Sequence, residues 1–244
     1  MEYKKTKPAP ELAPFINFYW ELVGNEHGPQ WERVFPDGCA GVLINLGSDC
    51  LTDNGSLSMS YGKTYAVGAM RSFKDSLIDH DCYLIGASFK PAALTNFYEF
   101  DSQQILTNET IEFERACSFK LDRLRDQPHD YLNRFFLDRM KQPSNPMQAI
   151  INDIDVSNGH IRVQDLSKRH FTTVRQVERY FKRNIGLTPK EYSNIIRFQN
   201  AMRLIKESRL ERSLSEIAFT CGYYDHAHLT NDIKRHTGMA PSQL

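Results

Sequence analysis

Two short stretches of this 244-residue chain concentrate polar side chains, most of them hydrogen-bond donors. The first holds Arg175, Gln176, Glu178, Arg179, Lys182 and Arg183, and the second His226, His228, Thr230, Asn231, Lys234 and Arg235. Apolar residues recur at helical spacing in both, as Val177, Tyr180 and Phe181 and as Leu229 and Ile233, so the donors fall on an outer face. Guanidinium, amide, imidazole and ammonium groups on a helix surface suit hydrogen bonding to anionic backbones and base edges.

The elements that must position these side chains are two copies of one unit. Phe181, Lys182, Arg183, Gly186 and Pro189 recur as Ile233, Lys234, Arg235, Gly238 and Pro241, each displaced by 52 residues. Upstream, Val163, Asp165, Leu166 and Ser167 match Leu214, Glu216, Ile217 and Ala218 at an offset of 51, so the turn between differs by one residue. Each copy reads as a short helix, a turn and a second helix, the first capped by Thr173 and the second by Asp225. Two helix-turn-helix units in register fit successive major grooves about 34 Å apart on one face of DNA.

A rigid spacer is expected between the units. Thr188, Pro189 and Glu191 make a strong helix start, and the run to Ser208 contains no Gly and no further Pro. A helix of about 20 residues spans about 30 Å.

These residues carry a resemblance. Leu166-Ser167, Val177-x-Arg179-x-Phe181-Lys182, Gly186-x-Thr188-Pro189-x-x-Tyr192, Arg197, Ala201, Ile217-Ala218, Gly222-Tyr223, Ile233-Lys234 and Gly238-x-x-Pro241 make residues 147–244 similar to the DNA-binding domain of the AraC/XylS family of bacterial transcription regulators. The resemblance implies an all-α domain of two helix-turn-helix subdomains joined by a long helix. It places base reading on Arg175, Gln176, Glu178 and Arg179, with the two arginines suited to guanine and Gln176 to adenine. In the second unit the corresponding positions are His226, Ala227, His228 and Asn231. There Ala227 replaces a usual Ser, Leu229 a usual Phe and Asn231 a usual Arg, so most base specificity is expected from the first unit. The implied partners are double-stranded DNA, a small-molecule effector and RNA polymerase, for a chain that is a monomer or a homodimer.

Composition divides the chain. Residues 146–244 hold 15 Lys and Arg against 10 Asp and Glu, and the first 145 residues hold 15 against 20. A basic C-terminal part neutralises phosphates and an acidic N-terminal part stays off them. The stretch 141–146, with Pro143 and Pro146 among polar residues, reads as a linker. The expected domains are 1–142 and 143–244, with helix-turn-helix units at 163–184 and 214–236 around a linking helix at 188–208.

The N-terminal part is expected to be α+β, a small β-barrel or sandwich followed by helices. Residues 31–35, 42–46, 58–61, 64–68 and 83–89 are short β-prone runs separated by Gly, Asp and Asn. From Pro91 the pattern turns helical, with two further helices expected between about 113 and 140, the last carrying a stripe of Leu132, Phe135, Phe136 and Met140. Leu12-Ala13-Pro14-Phe15-Ile16, Tyr19-Trp20, Pro36-Asp37-Gly38-Cys39, Asn45-Leu46-Gly47, Val67-Gly68 and Gly86-Ala87-Ser88-Phe89-Lys90-Pro91 resemble the N-terminal domain of a subset of the same regulators. That resemblance implies effector sensing or dimerisation. A barrel lined by aromatic residues such as Trp20, Trp31, Tyr65 and Phe89 suits an apolar or aromatic small molecule.

Enzymatic chemistry is not expected. The chain lacks a Gly-x-Ser-x-Gly elbow, a P-loop and a dinucleotide fingerprint, and Asp79-His80-Asp81-Cys82 is one contiguous run whose neighbours point to opposite faces of a strand. No cofactor or metal is expected, since no Cys-x-x-Cys occurs and His226 and His228 stand two apart on a helix. Alternative roles for the N-terminal part are binding a partner protein, or metal or thiol sensing by Cys39, Cys50 and Cys82. An odd cysteine count, no secretory signal and no membrane-length apolar run fit the cytoplasm.

Overall fold

A computed structural model describes residues 1–26, 28–114, 117–124, 126–141, 147–207 and 212–244. The N-terminal half contains strands β1 (Glu2–Thr6), β2 (Ile16–Val23), β3 (Gln30–Val34), β4 (Ala40–Asn45), β5 (Cys50–Thr52), β6 (Leu57–Met59), β7 (Thr64–Val67), β8 (Lys74–Ile78), β9 (Tyr83–Phe89) and β10 (Thr110–Glu112). Six of them form one antiparallel sheet in the order β1-β2-β9-β4-β7-β10, while β3 pairs with β8 and β5 with β6.

Side-chain alternation decides what covers each face of the sheet. Val42, Ile44, Ala66, Ile85, Ala87 and Phe89 point into a core shared with α1 (Leu121–Leu124) and α2 (Pro128–Arg139), which contribute Leu124, Leu132 and Phe136. Leu43, Tyr65 and Leu84 point the other way, into a second core with Cys50, Met59 and Ile78 from the two-stranded ribbons. A polar clasp joins ribbon to sheet edge: buried Lys74 lies 2.6 Å from Asp53, whose carboxylate also accepts from the Thr110 backbone N–H and hydroxyl.

The β-rich half followed by helices is as expected, and the stripe on α2 is core, with Leu132 and Phe136 fully buried. The helix expected after Pro91 is instead a single 3-10 turn, Ala93–Asn96, entered from Ala92 in a left-handed conformation at φ +66.

The C-terminal half is all helical: α3 (Gln148–Val156), α4 (Val163–Arg169), α5 (Val174–Asn184), α6 (Pro189–Glu207), α7 (Leu214–Thr220) and α8 (His226–Thr237). The linker residues 142–146 and Ser208, expected to end the linking helix, lie outside the described residues. Helix α6 starts with the capping box its sequence promises: the Thr188 hydroxyl accepts from the Glu191 N–H, and the Glu191 carboxylate accepts from the Thr188 N–H. Its 19 residues span about 28 Å at 1.5 Å per residue. One side of α6 joins the first unit's core through Tyr192 and Ile195, and its later part joins the second unit's core through Phe198, Ala201 and Ile205.

Both units are docked on the N-terminal half at equivalent corners. Gly186 and Gly238 end α5 and α8 in the left-handed conformation. At the first corner the Thr107 hydroxyl donates to the Gly186 carbonyl at 2.7 Å and the Ser102 hydroxyl to the Lys182 carbonyl at 3.2 Å. At the second, the Arg33 guanidinium donates to the Thr237 carbonyl at 2.9 Å, and His236 Nδ1 lies 2.8 Å from the Arg71 carbonyl. The Arg71 side chain also pairs with Glu191 at 2.7 Å.

Candidate nucleic-acid interface

Helix α5 owes its start to Thr173, whose hydroxyl accepts from the Gln176 N–H, while Gln176 Oε1 accepts from the Thr173 N–H at 3.0 Å. Val177 and Phe181 are fully buried beneath it, and Phe181 packs edge-on against Tyr192 at 5.7 Å. That anchor leaves Arg175, Gln176, Glu178, Arg179, Lys182 and Arg183 exposed. Ile150 and Ile154 of α3 and Leu166 of α4 belong to the same core, together with Ala69 and Ala92 of the N-terminal half.

The charges on α5 are unspent. Arg33, Arg71, Arg169 and Arg203 are each paired with a carboxylate within 3.0 Å. Among the described residues, Arg175, Arg179, Lys182 and Arg183 have no such partner. Four exposed cations on one helix, without carboxylate partners, are chemically suited to contact an anionic backbone. The Gln176 side-chain oxygen is engaged in the capping box with Thr173. The Thr-x-x-Gln spacing signals that box in the sequence itself.

Helix α8 begins at Asp225, whose carboxylate accepts from the His228 N–H at 2.7 Å. Leu229 and Ile233 anchor it, and His226, Ala227, His228, Asn231, Lys234 and Arg235 are exposed while Thr230 is half-buried. Arg235 is drawn toward Asp232 at 3.7 Å, and the His228 ring stands edge-on to Tyr223 at 5.2 Å. The second unit therefore offers fewer free cations than the first.

The turns of the two units superpose bond for bond. His170, Phe171 and Thr172 donate to the carbonyls of Leu166, Lys168 and Ser167, and Cys221, Gly222 and Tyr223 donate to those of Ile217, Phe219 and Ala218. Phe171 thus occupies the position of Gly222, and both have positive φ, +49 and +69. The extra residue in the second turn is Tyr224, exposed like Phe171. The step in offset from 51 to 52 marks the place of Tyr224 in the sequence.

The four aromatic residues expected to line a pocket do not converge. Tyr65 is buried with Trp20 packed against the ribbon-side core, Phe89 lies in the core on the other face, and Trp31 is exposed on β3. Opposite strand parity separates them. The cysteines divide as well: the thiols of Cys50 and Cys82 meet, while Cys39 sits beside Asn17. The Cys82 contact and burial together push the Cys50 thiol well up, away from the reactive thiolate. Among the described residues no three His, Cys, Asp or Glu side chains converge as a metal site, and no helix is long and apolar enough to cross a membrane.

Comparison with known proteins agrees with this geometry. A family described as a helix-turn-helix domain matches residues 166–244, and a domain of unknown function (DUF6597) matches residues 4–112. The HTH-type transcriptional activator RhaS of Escherichia fergusonii is 32% identical over 79 residues, a match that spans 32% of this chain and 28% of that protein. Among solved structures, an apo variant of ToxT from Vibrio cholerae superposes with a TM-score of 0.53 at 13% identity, covering 92% of this chain and 96% of that one. ToxT bound to a naphthalenyl butenoic acid superposes with a TM-score of 0.50 at 10% identity, covering 100% and 98%. At such identities the likeness is one of fold: a β-rich N-terminal part followed by paired helix-turn-helix units.

Proposed function

Since the chain belongs to the AraC/XylS family of transcription regulators through its helix-turn-helix domain, we propose that it binds specific operators and activates transcription under the control of a small-molecule effector. Residues 143–244 read DNA through α5 and α8, and residues 1–142 sense the effector. The partners are double-stranded DNA, RNA polymerase and the effector, all met in the cytoplasm, and the chain catalyses no reaction. The observation that carries the DNA reading is the exposed row of unpaired cations on α5, with a second exposed polar helix, α8, at the far end of α6.

Activation is supported by the name of the RhaS relative, and effector control by the ToxT structure solved with a bound organic acid. Base reading is assigned to Arg175 and Arg179, with Gln176 and Glu178 beside them. Lys182, Arg183, Thr230, Lys234 and Arg235 hold the DNA backbone, and His226, Ala227, His228 and Asn231 face the second groove.

Genome-wide mapping of bound sites followed by hydroxyl-radical footprinting tests this. Two protected patches about ten base pairs apart on one DNA face are expected. Protection of a single groove would refute the two-unit reading. A thermal-shift screen tests the effector, and the full chain is the proper sample because the C-terminal units cover part of the N-terminal half. A metabolite that raises the melting temperature supports the sensor; uniform silence supports a protein partner instead.

A further inference from the structure

Both docking corners converge on one small piece of the N-terminal half. Thr107, whose hydroxyl donates to the Gly186 carbonyl of the first unit, is followed by Asn108, whose side-chain oxygen accepts from the Arg71 N–H at 2.7 Å. The Asn108 N–H donates in return to the Ala69 carbonyl at 3.2 Å, so loops 69–73 and 106–109 are tied together. From this pair the Arg71 carbonyl meets His236 of the second unit, and the Arg71 guanidinium reaches Glu191 at the start of α6. Ala69 is buried in the first unit's core. Phe73 lies under the Arg33 guanidinium at 4.0 Å, and Arg33 is the donor to Thr237.

We propose that the N-terminal half is the gauge of half-site spacing: the loop pair 69–73 and 106–109 fixes the distance and rotation between α5 and α8, with Arg71 common to both grips. It rests on the reading that both helices enter DNA, and it assigns specificity to residues that touch no base. Among the described residues the cores of the two units share no member, and α6 serves them with different turns, Tyr192 and Ile195 in one and Phe198, Ala201 and Ile205 in the other. Relative motion is the default for units joined in this way unless a further interface holds them. The four docking hydrogen bonds meet α5 and α8 in or just beyond their last turns, at Lys182, Gly186, His236 and Thr237. A reading helix contacts base edges with its N-terminal residues, and there Arg175, Arg179, His226 and His228 stay exposed. The grip is thus compatible with entry into the groove. One inserted base pair moves the second half-site by about 3.4 Å and turns it by about 35°. Gripped helices do not follow that displacement, whereas units held by α6 alone absorb part of it.

Selection of the full chain on a library of random duplexes tests the gauge, followed by fluorescence anisotropy on the selected duplex, on the same duplex with one base pair inserted between half-sites, and on an unrelated duplex. Wild type should select one spacing and lose about tenfold or more on the insertion. The double variant Arg33→Met, Thr107→Val removes the donor at both corners. It should select several spacings, lose about threefold or less on the insertion, and bind the unrelated duplex as wild type does. Arg71→Ala, at a half-exposed side chain whose loss leaves no buried group behind, should shift the spacing profile the same way, and Arg71→Lys, which keeps a cation for Glu191, should restore it. If wild type tolerates the insertion, or if both the double variant and Arg71→Ala keep its full penalty, the gauge is refuted and the DNA reading stands. If wild type enriches no paired half-sites, both fall.

Discussion

Phe171 is the sharpest test of how the duplicated turn is built. An L-residue in the left-handed region pays about 1–2 kcal/mol, a cost that Asn meets more cheaply through local hydrogen bonding. Phe171 has φ +49 and is 99% exposed, so its ring returns almost nothing through burial. The other unit avoids the cost by placing Gly222 there at φ +69. Phe171→Asn should therefore stabilise the protein by about 0.5–1 kcal/mol, while avoiding the unfolded-state entropy that glycine would add. For a chain of this length that is a rise of about 1–3 °C in melting temperature. Calorimetry and urea titration of the full chain read it directly. A fall in stability would mean that the ring makes a contact the structure does not contain, and the strain argument would be wrong.

Other substitutions probe the anchors. Phe181→Ala removes a fully buried ring beneath α5 and should cost about 3–5 kcal/mol in a urea titration, with loss of DNA binding. Thr107→Val leaves the Gly186 carbonyl without its donor and should cost about 1–3 kcal/mol, seen as a lower urea midpoint; an unchanged midpoint contradicts the docking bond. His236 gives a pH dependence. Burial lowers its imidazole from the ordinary histidine range, against the pull of Asp232 at 3.6 Å. The unfolded chain then takes up this proton first. The contribution is intact above the unfolded value of about 6.5 and is lost as pH falls from there toward the lowered folded value. Melting temperature should drop more between about pH 7 and about pH 5.5 in wild type than in His236→Gln.

What was legible in the sequence is what local chemistry decides. The caps at Thr173, Thr188 and Asp225 sit where short-range hydrogen bonding demands them, and the apolar spacing of Val177, Phe181, Leu229 and Ile233 marks the buried face of each reading helix. The runs 31–35, 42–46, 58–61, 64–68 and 83–89 overlap β3, β4, β6, β7 and β9. Strand β1, with Glu2, Lys4 and Lys5, escaped notice because its reason to be extended is the pairing with β2, not its own composition. The aromatic pocket failed for a related reason. Tyr65 and Phe89 are both core-like in sequence, and only the register of β4 against β7 and β9 sends them to opposite faces. The docking corner at Gly186 was equally hidden, since it joins residues about 80 positions apart through the Ser102 and Thr107 hydroxyls.

The glycines of the repeat take on a second meaning. Gly186 and Gly238 end their helices in a left-handed conformation, and a Cβ at either would lie under 3 Å from the N-terminal half, against Thr107 and Gln103 or against Phe73 and Arg33. One duplicated corner thus serves both as helix stop and as docking point.

The central claim is that α5 reads bases through Arg179 and holds the backbone through Lys182, and fluorescence anisotropy with a mapped operator and a random duplex at one salt concentration tests it most directly. Arg179→Ala should weaken operator binding by about 1–3 kcal/mol and relax one base position, with a smaller loss on random DNA, while Lys182→Ala should weaken both duplexes alike. Equal losses on operator and random DNA for Arg179→Ala would contradict the account.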